Sequence, residues 1–351
     1  MTPRGRPRKS TILAAACAAF AVALAACGSS GGSSGSDDKT WIHGILAPKG
    51  DSGYQLMAKD RDYYTKQGVH VEIKSFVGNI QLVQALLSGA IDSGDTAPDP
   101  IYDASLKGSD VKIIGSTLPK ITYALIAKKS IRSFADLQGK TIGASSPGAF
   151  PEAVTRAMLA QQGLDSSKVK VVATGNDAQR FQALLAGKID AAAVSDQFVP
   201  AAQNSTKIHV LGEAQNIIPE YPRFYLVANG KSLKEKPDTA VRFLAGEMQG
   251  LCYAVMHPEA ERQVAAKNTN TSADDPKVVY VQQAIAKAHA ASATSAIPMK
   301  RLQFLQSFRI KNGFQKGKVD FSKLVDTSVR QKALKRAKLP QKCLDDPNAK
   351  E

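Results

Sequence analysis

Residues 84–92 read Gln-Ala-Leu-Leu-Ser-Gly-Ala-Ile-Asp, and residues 182–190 read Gln-Ala-Leu-Leu-Ala-Gly-Lys-Ile-Asp. Each stretch begins like an amphipathic helix, has a glycine where the helix would end, and continues into a short strand-like segment. Two such units can be alike by chance. Together with the strand and helix pattern around them, however, they predict two structurally related lobes.

The chain on either side of the two stretches alternates between strands and helices. Strands separated by helices of this length predict a mostly parallel sheet with helices on both faces, so the expected fold class is α/β. The roughly 310 residues that follow the N-terminal segments are more than one core usually holds, which also favours two lobes. The runs with strand character are residues 40–47, 69–76, 91–94, 111–116, 140–144, 169–173 and 189–194.

Two further β-branched and aromatic runs bracket the second repeat. We expect residues 121–126 and residues 223–228 to be strands that cross between the lobes and act as a hinge. This predicts a first lobe built from residues 40–120 and 223–345, and a second lobe built from residues 121–222. The helical stretches after residue 231 would pack back onto the first lobe.

The first forty residues resemble an export and anchoring segment. Basic residues up to Lys9 precede an apolar run that is too short to span a membrane, as in a secretory signal peptide. Residues 24–28 read Leu-Ala-Ala-Cys-Gly and resemble a bacterial lipobox, which predicts a signal peptide at residues 1–26 and lipidation of Cys27. A plain signal peptide, with Cys27 incidental, is the alternative. Residues 27–39 are mostly Gly and Ser and predict a flexible tether.

The chain is strongly basic, with a formal net charge of +15. Loss of residues 1–26 would leave 42 basic and 31 acidic residues, a net charge of about +11. The basic residues are scattered and are not interleaved with aromatic residues, and export also argues against nucleic acid as a partner. Attraction to an anionic membrane or cell wall is the expected consequence.

Two cysteines, Cys252 and Cys343, remain in the exported part. In an oxidising compartment they could pair, and two buried free thiols are the alternative.

Several motifs together resemble one family of binding proteins. Residues 133–143 read Ser-Phe-Ala-Asp-Leu-Gln-Gly-Lys-Thr-Ile-Gly, similar to the domain-opening segment of periplasmic binding proteins of the nitrate/sulfonate/taurine type. Residues 57–69, 84–94, 257–260 and 319–326 resemble other parts of that family. The likeness covers most of residues 40–335. Each motif is short, but their order and spacing make the resemblance specific.

The resemblance implies a two-lobed type 2 periplasmic binding protein fold that closes on a small ligand. It also implies the role of an extracytoplasmic substrate-binding subunit that delivers its solute to the permease and ATPase subunits of an ABC importer, with membrane contact through the lipid anchor. Sulfonates, nitrate-like anions, the pyrimidine precursor of thiamine and aromatic acids are the solute classes of this group. An extracytoplasmic ligand sensor, or another binding protein without a transport role, is the alternative.

Candidate ligand-binding residues follow from the expected sheets. Ligands bind at the carboxyl ends of parallel strands, where helix N-termini with unpaired N–H groups meet. Residues 145–148, Ser-Ser-Pro-Gly, resemble the ligand loop of the family. The candidates are Asp51, Ser52, Tyr54, Asn79, Asp95, Thr96, Ser145, Ser146, Gly148, Asp196, Tyr221 and Arg223.

Several candidates also suit purely structural roles. Asp51, Asn79 and Asp95 fit helix caps. The two tyrosines and Arg223 fit packing between the lobes as well as stacking on, or clamping, a ligand. The sequence alone leaves these alternatives open.

The charge of the expected site loops bears on the solute. Anion binders of the family often supply Arg or Lys, whereas these loops carry Asp51, Asp95, Asp99 and Asp196. This favours a cationic or neutral polar, heteroaromatic solute.

The sequence gives little support for an enzymatic function. The segment at residues 143–148 does not match the G-x-S-x-G nucleophile elbow, and no phosphate-binding G-x-x-x-x-G-K-[ST] loop occurs. The five histidines lack metal-ligand spacing. The cysteine-rich motif of a eukaryotic pyrimidine synthase related to this family is also unmatched. We therefore expect no catalysis, no cofactor and no metal.

Overall fold

The structure is a computed structural model that describes residues 39–351. The expected signal peptide, the lipidated Cys27 and nearly all of the expected tether lie outside the described residues. Within residues 39–351, no helix is both long and apolar enough to cross a membrane.

Two five-stranded sheets organise the described chain. The order in the first sheet is β2 (His70–Phe76), β1 (Thr40–Leu46), β3 (Ser93–Thr96), β10 (Pro222–Asn229) and β4 (Val111–Lys120). The order in the second sheet is β7 (Lys170–Ala173), β6 (Thr141–Ala144), β8 (Ala191–Ser195), β5 (Tyr123–Lys128) and β9 (Ile208–Glu213). The first three strands of each order pair in parallel, and the fourth is antiparallel to both neighbours. The mostly parallel α/β architecture is therefore confirmed, and the two sheets share one topology.

The antiparallel strand of each sheet is reached by crossing from the other sheet. β5 follows β4 along the chain but pairs in the second sheet, and β10 follows β9 but pairs in the first. These strands contain most of the two runs that the sequence predicts as crossing segments, so that expectation is confirmed.

Helices cover both sheets, and the helices that follow β10 make up the C-terminal part of the chain. Where α10 (Pro237–Met256) crosses α1 (Ser52–Asp60), Gly250 lies so close to the backbone of Ala58 that a Cβ atom there would meet the Ala58 nitrogen at 2.5 Å. The helices are α1 (Ser52–Asp60), α2 (Tyr63–Lys66), α3 (Asn79–Leu87), α4 (Asp99–Leu106), α5 (Phe150–Gln161), α6 (Asp177–Leu185), α7 (Val199–Gln203), α8 (Ala214–Ile217), α9 (Gly230–Glu235), α10 (Pro237–Met256), α11 (Pro258–Thr269), α12 (Pro276–Ala288), α13 (Met299–Lys311), α14 (Phe321–Leu324), α15 (Thr327–Ala337) and α16 (Gln341–Leu344).

The repeated stretches occupy equivalent places. Residues 84–92 lie at the end of α3 and lead into β3, and residues 182–190 lie at the end of α6 and lead into β8. β3 and β8 are each the third strand in the order of their sheet. The internal similarity therefore coincides with a repeat in the fold.

The strand expected at residues 91–94 lies two residues further on. Asp95 and Thr96 belong to β3 and not to a loop, so Asp95 does not cap a helix. Asp51 directly precedes α1, but its side chain makes no capping hydrogen bond. The capping alternative is thus wrong for both aspartates, because their carboxylates bind other side chains.

Two further details of the secondary structure bear on the site. The residue before α3 is Gly78, so Asn79 is the first helical residue and not the cap. In α6 the cap is Asn176, whose carboxamide oxygen accepts a hydrogen bond from the backbone nitrogen of Gln179. Asp177 is thereby free to contact other groups.

A disulfide bond joins Cys252 in α10 to Cys343 in α16. Both residues are buried. The cross-link ties the C-terminal helices to the long helix that packs on the first sheet.

Candidate functional site

A cavity of about 180 Å³ lies between the two sheets. Three helices begin at its wall: α3 at Asn79, α5 at Phe150 and α6 at Asp177. The first turn of a helix presents unpaired N–H groups and a partial positive charge, so this arrangement favours an anionic or acceptor-rich ligand. The other lining residues are Leu46, Ala47, Pro48, Lys49, Val77, Gly78, Tyr123, Ser145, Pro151, Asn176, Ala178, Arg180, Gln197, Arg223 and Phe224.

Lys49 follows β1 and reaches into the cavity. Its Nζ lies 5.4 Å from the centre of the Phe224 ring, within the range of a cation–π contact. Within residues 39–351, no hydrogen bond or ion pair occupies this Nζ. Lys49 is therefore a cation with capacity to bind a further group.

Arg180 is buried in the second sheet's wall of the cavity. Its Nη1 donates to the carbonyl oxygen of Gly175 at 2.7 Å, its Nη2 donates to the hydroxyl of Tyr123 at 3.0 Å, and it forms an ion pair with Asp177. Burial opposes ionisation of Asp177, but the charges of Arg180 and Lys49 outweigh it and hold the pKa of this carboxyl well below its usual range. The network fixes Arg180 in place at the cavity.

Arg223, at the start of β10, joins the two sheets. Its Nη2 donates to Oδ2 of Asp51 at 2.9 Å, and its Nη1 donates to the carbonyl oxygen of Thr122 at 2.9 Å. The guanidinium lies 4.6 Å from the ring centre of Phe224 and 5.1 Å from that of Tyr123. Arginine suits such a site because its planar group can stack and form hydrogen bonds at once.

A second contact closes the cavity across the sheets. The backbone nitrogen of Gly50 donates to Oε1 of Gln197 at 3.0 Å. Gly50 belongs to the loop after β1, and Gln197 follows β8. The loops at the carboxyl ends of both sheets are therefore in direct contact.

The charge of the cavity wall does not support the expectation of a cationic solute. Lys49, Arg180 and Arg223 line it, and Asp177 is the one acidic residue among the lining residues of the described chain. The expected acidic residues contribute little, because they are held elsewhere. Asp95 accepts hydrogen bonds from Gln55 and Thr117, Asp99 accepts from Tyr221 and Arg309, and Asp51 binds Arg223.

Only some of the predicted site residues lie at the cavity. Asn79, Ser145 and Arg223 line it. Ser146 and Gly148 lie in the loop before α5, and the Gly148 nitrogen donates to Glu152. Residues that do not line the cavity are Asp51, Ser52, Tyr54, Asp95, Thr96, Asp196 and Tyr221, all of which are buried.

The buried candidates have identifiable structural partners. Oγ of Ser52 accepts from the backbone nitrogen of Lys49 at 2.6 Å, and Thr96 donates to Oδ1 of Asn79 at 2.8 Å. Tyr54 belongs to the apolar core beneath α10. The Tyr221 hydroxyl donates to Asp99 at 2.8 Å, and its ring packs on Phe150.

Sequence reasoning missed Lys49, Asp177 and Arg180 as site residues. The internal repeat contained a usable signal, because in its register Asp177 corresponds to Asn79, and Arg180 corresponds to Leu82. Asn79 and Asp177 both line the cavity, whereas Leu82 is a core residue. The second repeat therefore has an arginine at the cavity where the first repeat has a leucine in the core, and this difference indicates a role other than core packing.

No group of three or more His, Cys, Asp or Glu side chains within residues 39–351 is placed to hold a metal ion.

Comparison with known protein families shows which family the chain belongs to. The family model described as "NMT1/THI5 like" matches residues 51–261. The chain belongs to the NMT1/THI5-like family. This confirms the resemblance predicted from residues 84–94 and 133–143.

Known relatives and solved structures agree with this NMT1/THI5-like assignment. A curated relative in Brucella abortus, named as a binding protein, is 24% identical over 232 residues, which cover 64% of this chain and 70% of the relative. The alkanesulfonate-binding protein SsuA of Xanthomonas axonopodis pv. citri, solved with MOPS, superposes with a TM-score of 0.70 at 16% identity, over 83% of this chain and 99% of that one. The nitrate-binding protein NrtA of Synechocystis PCC 6803 gives a TM-score of 0.71 at 13% identity, over 89% and 92%.

The fold also occurs in an enzyme. The desulfurization enzyme DSZB superposes with a TM-score of 0.59 at 15% identity, over 85% of this chain and 99% of that one. At such identities the likeness shows the fold alone. The fold therefore occurs in binding proteins and in at least one enzyme.

Proposed function

We propose that this protein is an extracytoplasmic substrate-binding subunit of an ABC importer that captures a small organic anion between its two sheets. The observation that carries the proposal is Lys49, a cation at the cavity whose Nζ has no hydrogen-bonding or ionic partner within the described chain. Arg180 and Arg223, each paired with an aspartate, line the same cavity, and three helix N-termini face the same space. A bound anion would give Lys49 the ionic and hydrogen-bonding partner that it lacks.

The apolar side chains of the cavity wall favour an organic anion over an inorganic anion as the solute. Val77 is 65% exposed at the cavity, and Phe150, Pro48 and Phe224 line it nearby. An apolar group of the solute would cover these side chains when the site closes, and the area removed from water would contribute to binding.

We also propose that residues 40–120 with 223–345, and residues 121–222, act as two lobes that close on the solute. The contacts of Arg223 and Gly50 across the sheets support closure at this place. The crossings before β5 and β10 would form the hinge, because no other part of the two sheets continues from one to the other.

An enzymatic function has no comparable support. Within the described chain the cavity wall contains no His and no Cys, and Ser145 has no general base among its hydrogen-bond partners. A nucleophile needs such a base within hydrogen-bond reach.

The proposed function is tested by calorimetry on the exported domain with propane-1-sulfonate, nitrate, benzoate and neutral or cationic solutes of similar size. We expect an anion to bind, and Lys49→Gln to weaken its affinity by about tenfold or more, because a charge-assisted hydrogen bond contributes about 1.5–3 kcal/mol. Lys66→Gln is the matched control, since the Nζ of Lys66 also lies over a ring, 4.8 Å from the centre of Tyr63, outside the cavity. Binding of cations alone, or unchanged affinity in Lys49→Gln, would contradict the proposal.

Membrane anchoring through Cys27 is a further part of the proposal. It rests on residues 24–28, Leu-Ala-Ala-Cys-Gly, at the end of the apolar run. Cys27→Ser should move the protein from the membrane fraction to the soluble fraction of the producing bacterium. Cys17→Ser, within the apolar run, should leave it at the membrane. If the Cys27→Ser protein still pellets with membranes, the anchor lies elsewhere.

A further inference from the structure

The helix α15 crosses the first sheet at the end opposite to the cavity. It begins next to β4, where the backbone nitrogen of Asp326 donates to the carbonyl oxygen of Ile113 at 3.0 Å. It ends beside β2, where Nε of Arg336 donates to Oε1 of Gln67 at 2.7 Å. The strands β4 and β2 are the two edges of this sheet, and both contacts lie near the amino ends of the strands. The cavity lies at the carboxyl ends of β1 and β2.

One side of α15 is apolar and buried, and the other side is basic and exposed. The buried side packs on the apolar core next to α10 through Val329, Ala333 and Ala337. Lys332 and Lys335 are exposed and three residues apart, so they lie on one side of the helix, and the exposed Lys338 follows at its end. Residues 327–342 contain six basic residues and no acidic residue. We call the surface formed by Lys332, Lys335 and Lys338 the lysine face.

The lysine face has no counter-charge in the fold. Within residues 39–351, none of its three lysines forms an ion pair or a side-chain hydrogen bond. Acidic residues at the same end of the sheet, such as Asp110, Glu235 and Asp238, are instead paired with neighbouring lysines or arginines. Like charges on one side of a helix repel one another, so an anionic surface lying against them is favoured.

The N-terminal part of the chain enters the first sheet at this same end. The backbone nitrogen of His70 donates to the carbonyl oxygen of Lys39 at 2.8 Å, so Lys39 lies beside the start of β2, where α15 also ends. Lys39 follows Cys27 by 12 residues, and a chain of about that length spans at most about 40 Å. A lipid on Cys27 would therefore keep the lysine face within reach of the membrane surface.

We propose that the lysine face docks the tethered domain on an anionic lipid surface. The inference rests on the anchoring part of the proposed function, because the anchor places this face next to lipid headgroups and not next to another anionic polymer. Each lysine close to an anionic bilayer contributes about fivefold to binding, and a short tether raises the effective concentration of the surface. The cavity lies at the other end of the same strands, so docking directs it away from the lipid.

Lysine footprinting on vesicles tests the inference. The mature chain, residues 27–351, is coupled through Cys27 to a maleimide lipid, since Cys252 and Cys343 are joined in a disulfide and do not react. The vesicles contain phosphatidylcholine alone or phosphatidylcholine with phosphatidylglycerol, and acetylation of each lysine is followed by mass spectrometry. At about 0.01 M salt, the lysine face should react about threefold or more slowly on the anionic vesicles, and at about 1 M salt this difference should vanish.

Lys140, Lys168 and Lys170 are the matched control, because they are exposed at the amino ends of β6 and β7 in the second sheet. They should react at the same rate on both kinds of vesicle. Equal rates at the lysine face on both kinds of vesicle, or equal slowing at the lysine face and the control lysines, would overturn the inference. Protection of the lysine face by soluble polyphosphate, without protection by anionic vesicles, would identify an anionic polymer as the partner and would also overturn it.

Two triple variants separate the lysine face from the general charge of the protein. Both are made in the mature chain with Cys27→Ser, so that no lipid contributes, and their sedimentation with phosphatidylglycerol vesicles is measured. Lys332→Gln, Lys335→Gln and Lys338→Gln together should weaken binding about tenfold or more, and the same change at the three control lysines should weaken it about twofold or less. Similar losses in both variants would contradict the inference.

These outcomes are independent of the proposed function. Neither set of lysines lines the cavity, so both triple variants should bind the solute as the unmodified protein does. The lipid is attached chemically in the footprinting experiment, so a negative result there would leave the membrane anchor at Cys27 standing.

Discussion

Asp92 and Asp190, the last residues of the two repeated stretches, make equivalent contacts. Oδ2 of Asp92 accepts from the backbone nitrogen of Ile42 at 2.8 Å, and Oδ2 of Asp190 accepts from that of Thr141 at 2.9 Å. Each carboxylate also pairs with a lysine, at 3.5 Å and 2.8 Å respectively. The repeated aspartate therefore fastens the turn before a strand to the neighbouring strand in both sheets. Its recurrence encodes architecture and not a site.

Asp95 shows why an acidic residue in an expected loop need not reach the solute. Its Oδ2 accepts from Thr117 at 2.6 Å and from Gln55, deep in the first sheet. Burial raises the pKa of Asp95 to about 6, and hydrogen bonds from Gln55 and Thr117 oppose that change. The residue is held by partners distant in sequence, which local patterns do not reveal.

The raised pKa of Asp95 predicts a pH-dependent stability. The folded state binds this proton more tightly than the unfolded state, whose pKa is near 3.8, so stability falls as the pH rises from about 4 through about 6. Between pH 5 and pH 7.5 the group should lower the free energy of unfolding by roughly 1–2 kcal/mol. Asp95→Asn should remove that part of the decrease, as measured by urea unfolding of the exported domain at both pH values. The exposed Asp320→Asn serves as the control, and an unchanged pH dependence in Asp95→Asn would refute the assignment.

At the scale of helices and strands, the elements whose apolar residues recur periodically were predictable from the sequence. Strands β1, β2 and β6 and the two crossing strands all lie within a few residues of their expected bounds. Each combines an apolar face with a glycine or polar boundary, so local sequence carries enough information. The two-lobed, mostly parallel architecture follows from their order.

β3 was displaced in the prediction because its sequence is polar. It reads Ser-Gly-Asp-Thr, yet all four residues are buried. Oγ of Ser93 accepts from Nε1 of Trp41 at 2.7 Å and lies 2.8 Å from Nδ1 of His43, so the Ser93 hydroxyl is satisfied inside the sheet. Hydrophobic periodicity cannot recognise a strand whose burial depends on such partners. The same limit moved Asp95 and Thr96 into an expected ligand loop.

The basic wall of the cavity was hidden for a different reason. Lys49, in the loop after β1, and Arg180, in α6, lie 131 positions apart in the sequence and line one cavity only after folding. Counting acidic residues in the loops therefore did not predict the basic residues of the cavity wall. The identity of a residue was readable from the sequence, but the direction of a long side chain was not.

At the scale of the whole molecule, α12 links the two sheets at the side of the cavity. The Tyr280 hydroxyl donates to Oε1 of Glu213, the last residue of β9, at 2.9 Å. The Tyr280 ring packs against the apolar core of the second sheet, whereas Val281 and Ile285 of the same helix belong to a core of the first. This contact and the Gly50–Gln197 bond both join the two sheets in the present arrangement.

If the two sheets close on the solute when it binds, loss of the Tyr280 hydrogen bond should weaken the affinity for the solute, although Tyr280 itself does not contact the solute. Tyr280→Phe keeps the ring in the second core and removes only the hydrogen bond, whose net contribution is about 0.5–1.5 kcal/mol. We expect the variant to favour the open arrangement and to bind the solute about two- to tenfold more weakly, because a ligand of the closed state must offset the less favourable equilibrium.

Small-angle scattering should show the radius of gyration of the unmodified protein decreasing when the solute is added, and a larger value for solute-free Tyr280→Phe. Tyr63→Phe is the control, since the partly buried Tyr63 packs against the core beside α10 and makes none of the contacts between the sheets. A radius of gyration that does not change on binding in the unmodified protein would argue that the solute enters a preformed cavity, and the contacts between the sheets would then be permanent parts of the fold.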